Sequence, residues 1–461
     1  MNQEAHIHSA LPRYDLIKRL AFALALSGVM ALFLSLTGLN MGNGFVMVYT
    51  LLSVMIGTSV YAWRKYHSEP AGIKNNYVTF TGLTGRGLLG WVIGFILTGF
   101  YVVLYWYPEI LGLGINGVSN SGIIKFFDPL SFWIKNTAAT QWFVYGTLYT
   151  LAILALGVKV LFKYRTNNYQ KYRTLSIMVV QLFLAYLIPE ILEAMRTGQP
   201  YFDADIKNIW PLNYDFFHAW HLDNMKAGGS LGMFYLVLGI AMFLVVTPVV
   251  TYFFGKRWYC SWVCGCGGLA ETAGDSFRQN SSKTLASWKA ERWIIHSVMV
   301  LVFLMTVATL YGYFAGKNSF FGLDIYTYFQ RPYGFVIGAM FSGVVGVGFY
   351  PILGTRVWCR FGCPLAGYLG ILQKYFSKFR ITVNGGQCIS CGNCSKYCEM
   401  GIDVRSYAQK GQNIVRSSCV GCGICSSVCP RGVLKLENGS MTNKVDDNPI
   451  LIGRDGAKIN L

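Results

Sequence analysis

Eight apolar runs punctuate the chain, near residues 20–39, 44–63, 89–107, 141–161, 174–192, 231–254, 293–315 and 333–353. Each is long enough to cross a hydrocarbon core of about 30 Å as a helix. In that core a backbone N–H or C=O must be satisfied within the protein, so runs of this length specify membrane helices. Pro248 and the Gly-rich 342–348 stretch are tolerable in such helices, and Gly57 interrupts the second run. Composition agrees: of 461 residues, 53% are apolar and 13% charged, with mean hydropathy +0.40. The first run starts near Leu20, after Lys18 and Arg19, and reads as an uncleaved anchor.

Lys and Arg set the expected orientation. With the N-terminus inside, the inner segments 1–19, 64–88, 159–173 and 255–292 hold 18 basic residues, against 7 in the outer loops. Both termini are therefore expected on the cytoplasmic side of a bacterial inner membrane. The net charge of +18 follows largely from this bias, and no basic patch sits on a nucleic-acid-binding module.

All thirteen cysteines then fall on the inner side, which favours reduced thiolates over disulfides. Cys388, Cys391, Cys394 and Cys398 read C-x2-C-x2-C-x3-C, and Cys419, Cys422, Cys425 and Cys429 repeat the spacing before Pro430. This is the spacing of bacterial two-cluster ferredoxins, in which the fourth cysteine of each run crosses to the other cluster. The expected sets are Cys388, Cys391, Cys394 and Cys429 for one [4Fe-4S] cluster, and Cys419, Cys422, Cys425 and Cys398 for the second. Zinc sites pair C-x2-C knuckles without a third close cysteine. Glu399 stands where proline usually follows the fourth cysteine.

The other five cysteines belong to a short internal repeat. GKRWYCSWVCGCGG follows span six and GTRVWCRFGCPLAG follows span eight, with Gly255, Arg257, Cys260, Cys264 and Gly268 matching Gly354, Arg356, Cys359, Cys363 and Gly367 at a constant offset. Helical C-x3-C pairs would put two thiols on one face. Cys260, Cys264, Cys359 and Cys363 are thus candidate ligands of a third cluster or another soft-metal centre at the inner membrane surface, with Arg257 and Arg356 offsetting its charge. Cys266 breaks the symmetry and is a further candidate ligand.

Two C-x3-C(P) motifs at helix exits followed by a two-cluster ferredoxin resemble the membrane polyferredoxins, the NapH-, NosR- and CcoG-like proteins. The resemblance covers roughly 231–435. It rests on Cys260 and Cys264, on Cys359, Cys363 and Pro364, and on the eight ferredoxin cysteines. Gly265 departs from it, standing where proline is expected after Cys264. The resemblance implies electrons drawn from quinol or another membrane carrier and passed through iron–sulfur centres to a redox partner. Two alternatives remain open: a copper-handling or oxidase assembly factor using its thiols for metal reduction, and a non-catalytic electron-wire or anchoring subunit of a respiratory complex.

No C-x-x-C-H, no paired intramembrane histidines, no covalent-flavin motif and no dinucleotide fingerprint stand in the sequence, so neither haem nor a covalent flavin is expected. A quinol site needs a base near an electron acceptor. His296, one turn into span seven, and Glu190, at the end of span five, are the candidates. Asp203, Asp205, Asp215, His218, His221 and Asp223 lie in an outer loop that reads as solvated. The expected organisation is an N-terminal membrane region (1–192, five spans), an outer acidic loop (193–230), a membrane core with both C-x3-C motifs (231–365), an α+β ferredoxin domain (366–435) and a polar tail (436–461).

Overall fold

The computed structural model describes residues 15–37, 43–67, 87–114, 117–196 and 200–441. Most of the polar tail, 442–461, lies outside the described residues, as do the basic residues Arg13, Lys74 and Arg86 that entered the expected orientation.

Seven helices have the length and apolarity to cross a membrane: α1 (Leu16–Ser35), α2 (Gly44–His67), α3 (Leu88–Trp106), α4 (Gln141–Lys163), α5 (Asn168–Met195), α6 (Gly229–Phe254) and α7 (Leu285–Ala315). Side-chain caps start several of them. Thr140 accepts from Phe143 N at 3.2 Å, Asn167 from Gln170 N at 3.1 Å and Thr284 from Ser287 N at 3.3 Å, each satisfying an N–H that the first turn leaves free. The helices turn large apolar side chains such as Phe22, Phe95 and Phe303 outward, as a lipid-facing bundle does. Gly57, which seemed to weaken the second span, is where α2 packs on α1: a Cβ there would stand 2.5 Å from Ala25 N.

The eighth expected span is helical over 326–345, much of it in π-helical turns, and closes with the Tyr350–Leu353 turn. Three π segments, Val180–Leu187, Met242–Val246 and Tyr326–Gln330, each end two residues before a proline (Pro189, Pro248, Pro332). A proline ring clashes with the carbonyl four residues back, and an i→i+5 turn gives that carbonyl another register.

Helix ends sort onto two faces. Asp15 at the start of α1 pairs with Arg64 near the end of α2 at 2.8 Å, and Arg165, just past α4, donates to the Tyr66 carbonyl. Asn167, Tyr169 and Gln170 at the start of α5 bond the ferredoxin loop at Ser427, Gly421 and Cys422. These ends therefore share the ferredoxin face.

The expected solvated outer loop is a folded, inserted segment instead. Phe202, Ala204, Ile209 and Trp210 are buried, Trp210 Nε1 donates to Thr306 of α7 at 3.1 Å, and Tyr259 Oη donates to the Lys207 carbonyl at 2.6 Å. Its acids serve its own backbone: Asp203 accepts from Asp205 N and Asp205 from Lys207 N. Non-helical chain at membrane depth is tolerated where protein encloses it.

The ferredoxin domain follows helix α8 (Pro364–Phe376). Strand β1 (Phe379–Val383) pairs antiparallel with β2 (Leu434–Asn438), Phe379 opposite Asn438 and Val383 opposite Leu434. Between them, two one-turn helices, Asn393–Lys396 and Ile424–Ser427, each follow a glycine in the left-handed region, Gly392 at φ 79° and Gly423 at φ 75°. That turn bends each C-x2-C-x2-C loop between its second and third cysteines.

Candidate iron–sulfur centres

The second ferredoxin set is drawn together at the membrane face. Cys419 and Cys425 are buried and Cys398 and Cys422 half-buried. Burial pushes the Cys419 thiol up to about 11, and the neighbouring Cys398 thiol acts in the same direction; Cys425 in turn has Cys419, Cys398 and Cys394 as electrostatic neighbours. The first set lines one outward pocket: Cys388, Cys391, Cys394 and Cys429 all border it, with Arg405 and Arg431 at its rim. Cys391 is exposed. The fourth cysteine of each run thus lies near the other run, Cys429 on the pocket of Cys388, Cys391 and Cys394 and Cys398 beside Cys419 and Cys425.

The C-x3-C copies also meet. Each motif breaks the helix between its cysteines: Cys260 ends the Arg257–Cys260 turn and Cys264 caps Gly265–Thr272, while Cys359 lies in a π turn and Cys363 caps α8. The two thiols of each copy are therefore not on one helical face, as a continuous helix would place them. They converge nonetheless. Burial raises Cys363, and Cys359, Cys264 and Cys260 surround it closely enough to add to that effect. All four are buried in one core cluster with Cys394, Cys419 and Cys425.

Single donors reach four of the sulfurs, the kind of hydrogen bond that tunes an iron–sulfur cluster's potential. Ala366 N donates to Cys363 Sγ, Ile402 N to Cys398 Sγ and Val433 N to Cys429 Sγ, each at 3.4 Å. Arg356 Nη1 approaches Cys359 Sγ at 3.6 Å. Arg257, its counterpart in the repeat, does not share that role: its guanidinium stacks 4.8 Å from the Phe379 ring centroid and bonds Asn438. Lys256 is the buried cation of the first copy, donating to the Ser417 carbonyl at 3.2 Å. A hydrogen bond from Cys266 holds the Cys264 thiol down at about 6 against its burial, with Gly267 N–H, Lys207 and Arg356 assisting.

A buried ion network, missed at the level of sequence, joins the membrane core to the ferredoxin domain. Glu271 pairs with Arg173, Arg278 and Arg356; Asp275 pairs with Arg278 at 2.9 Å and Lys163 at 2.6 Å; Glu399 pairs with Arg278 at 2.6 Å and Arg356 at 2.9 Å. Against their burial, the surrounding Arg and Lys charges hold Glu271 and Asp275 well below the usual carboxylate range. Glu271, Glu399 and Cys422 place ligand atoms within 4.8 Å of one another, the one such His/Cys/Asp/Glu grouping among the described residues. The outer His218 and His221 join no such grouping: His221 is tied to Asp203 N and the Phe216 carbonyl. The signal available in the sequence was the acid–base run Glu271, Asp275, Arg278 beside a cysteine motif, since ionisable residues at membrane depth are seldom idle.

Glu190 and His296 part company. His296 is half-buried on α7, in a groove with Lys289, Arg292 and Trp293, its Nδ1 against the Arg292 carbonyl; among the described residues no cysteine lines that groove. Glu190 borders a cavity of about 370 Å³ that also reaches Cys264 and Cys266. Gly265, standing where proline was expected, lets Gln181 Oε1 come within 3.1 Å of its Cβ position.

Helical membrane bundle, paired C-x3-C motifs and a docked two-cluster domain define a membrane-bound iron–sulfur electron-transfer protein. Comparison with known proteins agrees. Residues 381–436 match the family model described as a 4Fe-4S dicluster domain, and 237–284 with 334–383 match that of a 4Fe-4S binding domain. The chain is 28% identical over 196 residues to the Escherichia coli "Putative electron transport protein YccM", covering 41% of this chain and 54% of that one. It is 28% identical over 160 residues to the methylamine utilization ferredoxin-type protein MauN of Methylobacillus flagellatus, covering 34% and 53%. The chain spans about half the length of these curated relatives. No solved structure matches. Together these findings support a membrane polyferredoxin-like family for the chain.

Proposed function

We propose that the protein draws electrons from a quinol in the bilayer and delivers them to a redox partner in water, with the ferredoxin face in the bacterial cytoplasm. Cys260, Cys264, Cys359 and Cys363 would hold one cubane. Cys419, Cys422, Cys425 and Cys398 would hold a second, and Cys388, Cys391, Cys394 and Cys429 a third. Such clusters, when bound, accept and release single electrons.

One residue carries this reading. Arg356 touches Cys359 Sγ on one side and Glu399 and Glu271 on the other, and those carboxylates lie within 4.8 Å of Cys422 Sγ. On this reading the thiol sets would run in order from membrane depth to the docked loop to the exposed Cys391. The network holds four cations (Arg173, Arg278, Arg356, Lys163) against three carboxyl groups, of which Glu399 is pushed up by burial and by Glu271, an excess of positive charge suited to thiolate-bound clusters.

Iron and acid-labile sulfide measured anaerobically on the full chain test it. About twelve irons are expected, four per cubane, falling to about eight in Cys359→Ser, with quinol-driven but not dithionite-driven reduction of the remaining centres lost. Copper or zinc without sulfide at the C-x3-C thiols would sink the relay and favour metal handling.

A further inference from the structure

The cavity between Glu190 and the Cys264–Cys266 pair is unlike an ordinary packing gap. Its lining includes Tyr149, Gln181, Tyr333 and Trp358. Apart from Glu190 Oε2, which Lys135 Nζ meets at 2.8 Å, three buried polar atoms on it lack hydrogen-bond partners among the described residues: Gln181 Oε1, Trp358 Nε1 and Tyr333 Oη. Native cores rarely leave such atoms orphaned without a functional reason. One acceptor and two donors suit a ligand that carries both hydroxyl and ring-oxygen functions, as a quinol and its quinone do. The remainder of the wall is largely aromatic, with Trp142, Tyr145 and Tyr214, and the volume suits a small-molecule site.

The cavity is also polar at its far end. Gln170 on α5 bonds the ferredoxin loop, Gln181 lies beside Gly265, and Glu190 is further along the same helix. At roughly 1.5 Å per residue, Glu190 stands on the order of 30 Å from the ferredoxin-facing end, and the thiols about half way. Glu190 is the one carboxylate among the described residues lining the cavity. Its charged and titratable neighbours are Lys135, Glu193, Tyr186 and Tyr201, and Lys207 lines the same cavity. Lys135 Nζ bridges Glu190 at 2.8 Å to Glu193 at 3.4 Å, and the Glu193 side chain is 43% exposed. Toward the ferredoxin face, Glu271 and Asp275 are locked in ion pairs, and Asp205 is paired with the lining residue Lys207 at 2.9 Å, so none of them offers a vacant base.

We propose that quinol bound in this cavity, held by Gln181, Trp358 and Tyr333, releases its protons through Glu190 to the face opposite the ferredoxin domain. This rests on the quinol reading above. Two O–H bonds break. The protons leave one at a time by the Glu190 carboxylate, past Lys135 and Glu193; the two electrons would pass singly to the oxidised centres that the cysteine sets would hold, with an oxidised redox partner as their final acceptor. Each turnover then separates charge across the membrane.

The test uses the full-length holoprotein in liposomes with the ferredoxin domain outward, a short-chain quinol, external ferricyanide and a pH dye trapped inside. The wild type is expected to acidify the lumen. Glu190→Gln is expected to slow quinol-driven ferricyanide reduction about a hundred-fold, the scale of a lost general base, with quinone quenching of tryptophan fluorescence unchanged. Glu190→Asp should retain part of the rate. Gln181→Leu should weaken quinone binding about ten-fold, as loss of a buried hydrogen bond does. Acid appearing only outside the vesicles, or a normal rate in Glu190→Gln, overturns the proton route and leaves the quinol reading intact. Failure of quinol to reduce wild-type centres that dithionite reduces overturns both.

Discussion

Arg356 and Glu399 form an ion pair, Nε to Oε1 at 2.9 Å, with both side chains wholly excluded from solvent. The two residues come from different domains. Arg356 belongs to the membrane core beside Cys359, and Glu399 follows directly on Cys398 of the ferredoxin domain. Buried ion pairs bring little net stability, because desolvation offsets their attraction, but breaking one strands a charge. What this pair supplies is register: with Arg278 it fixes the Cys398–Cys422 side of the domain against the C-x3-C thiols.

Removing one partner should therefore loosen docking more than folding of the small domain. Glu399→Gln is expected to destabilise the docked state by about 3–5 kcal/mol, seen as faster amide exchange and protease nicking near 377–378, while eight irons remain in the ferredoxin domain. A Glu399→Pro change would restore the residue usual at this position in two-cluster ferredoxins and should undock the domain as strongly. Unchanged exchange in both variants would deny the pair its role.

Much of this arrangement was legible in the residues. The eight ferredoxin cysteines and the apolar spans are local patterns, and local patterns survive folding. The 99-residue repeat, from Cys260 to Cys359, also placed the C-x3-C thiols together, because equal helix exits lead to equivalent positions. What was not legible depends on long-range packing. Glu399 stood out as a departure from proline, yet nothing local names Arg278 and Arg356 as its partners. Arg257 matched Arg356 by repeat and still points elsewhere. The acidic 203–223 stretch reads as solvated by composition, and only the tertiary contacts of Trp210 and Lys207 draw it inward. His296 and Glu190 were equal candidates by chemistry, and the cavity separates them.

That separation is testable. His296→Ala is expected to leave quinol-driven reduction of the centres within about two-fold of wild type, as for a surface substitution, whereas Glu190→Gln is not. Stopped-flow reduction of the two variants in detergent, followed at visible wavelengths, checks the contrast; equal loss in both would return His296 to the site.

Sidedness offers a further check. Ala227 and Lys410 are both exposed, the first beyond the inserted segment, the second on the ferredoxin domain. With the expected orientation, Ala227→Cys should react with an impermeant maleimide on intact cells and Lys410→Cys only after permeabilisation. The reverse pattern would invert the topology without altering the site.

Asp203 sets a pH dependence of stability. Burial, reinforced by Asp205 and Asp215 and opposed by Asp205 N–H and Lys207, raises its carboxyl from the ordinary 3.8 to about 7. The folded protein thus binds a proton that the unfolded chain releases above about pH 4, so this group's contribution to stability is fully present below that pH and is lost as pH rises through about 7. Asp203→Asn keeps the neutral form at every pH. Its melting temperature in detergent should equal that of the wild type near pH 4.5 and exceed it at pH 8. A variant that melts lower than wild type at pH 8 would show that the ionised carboxylate, through Asn213 and the Asp205 N–H, holds the inserted segment in place.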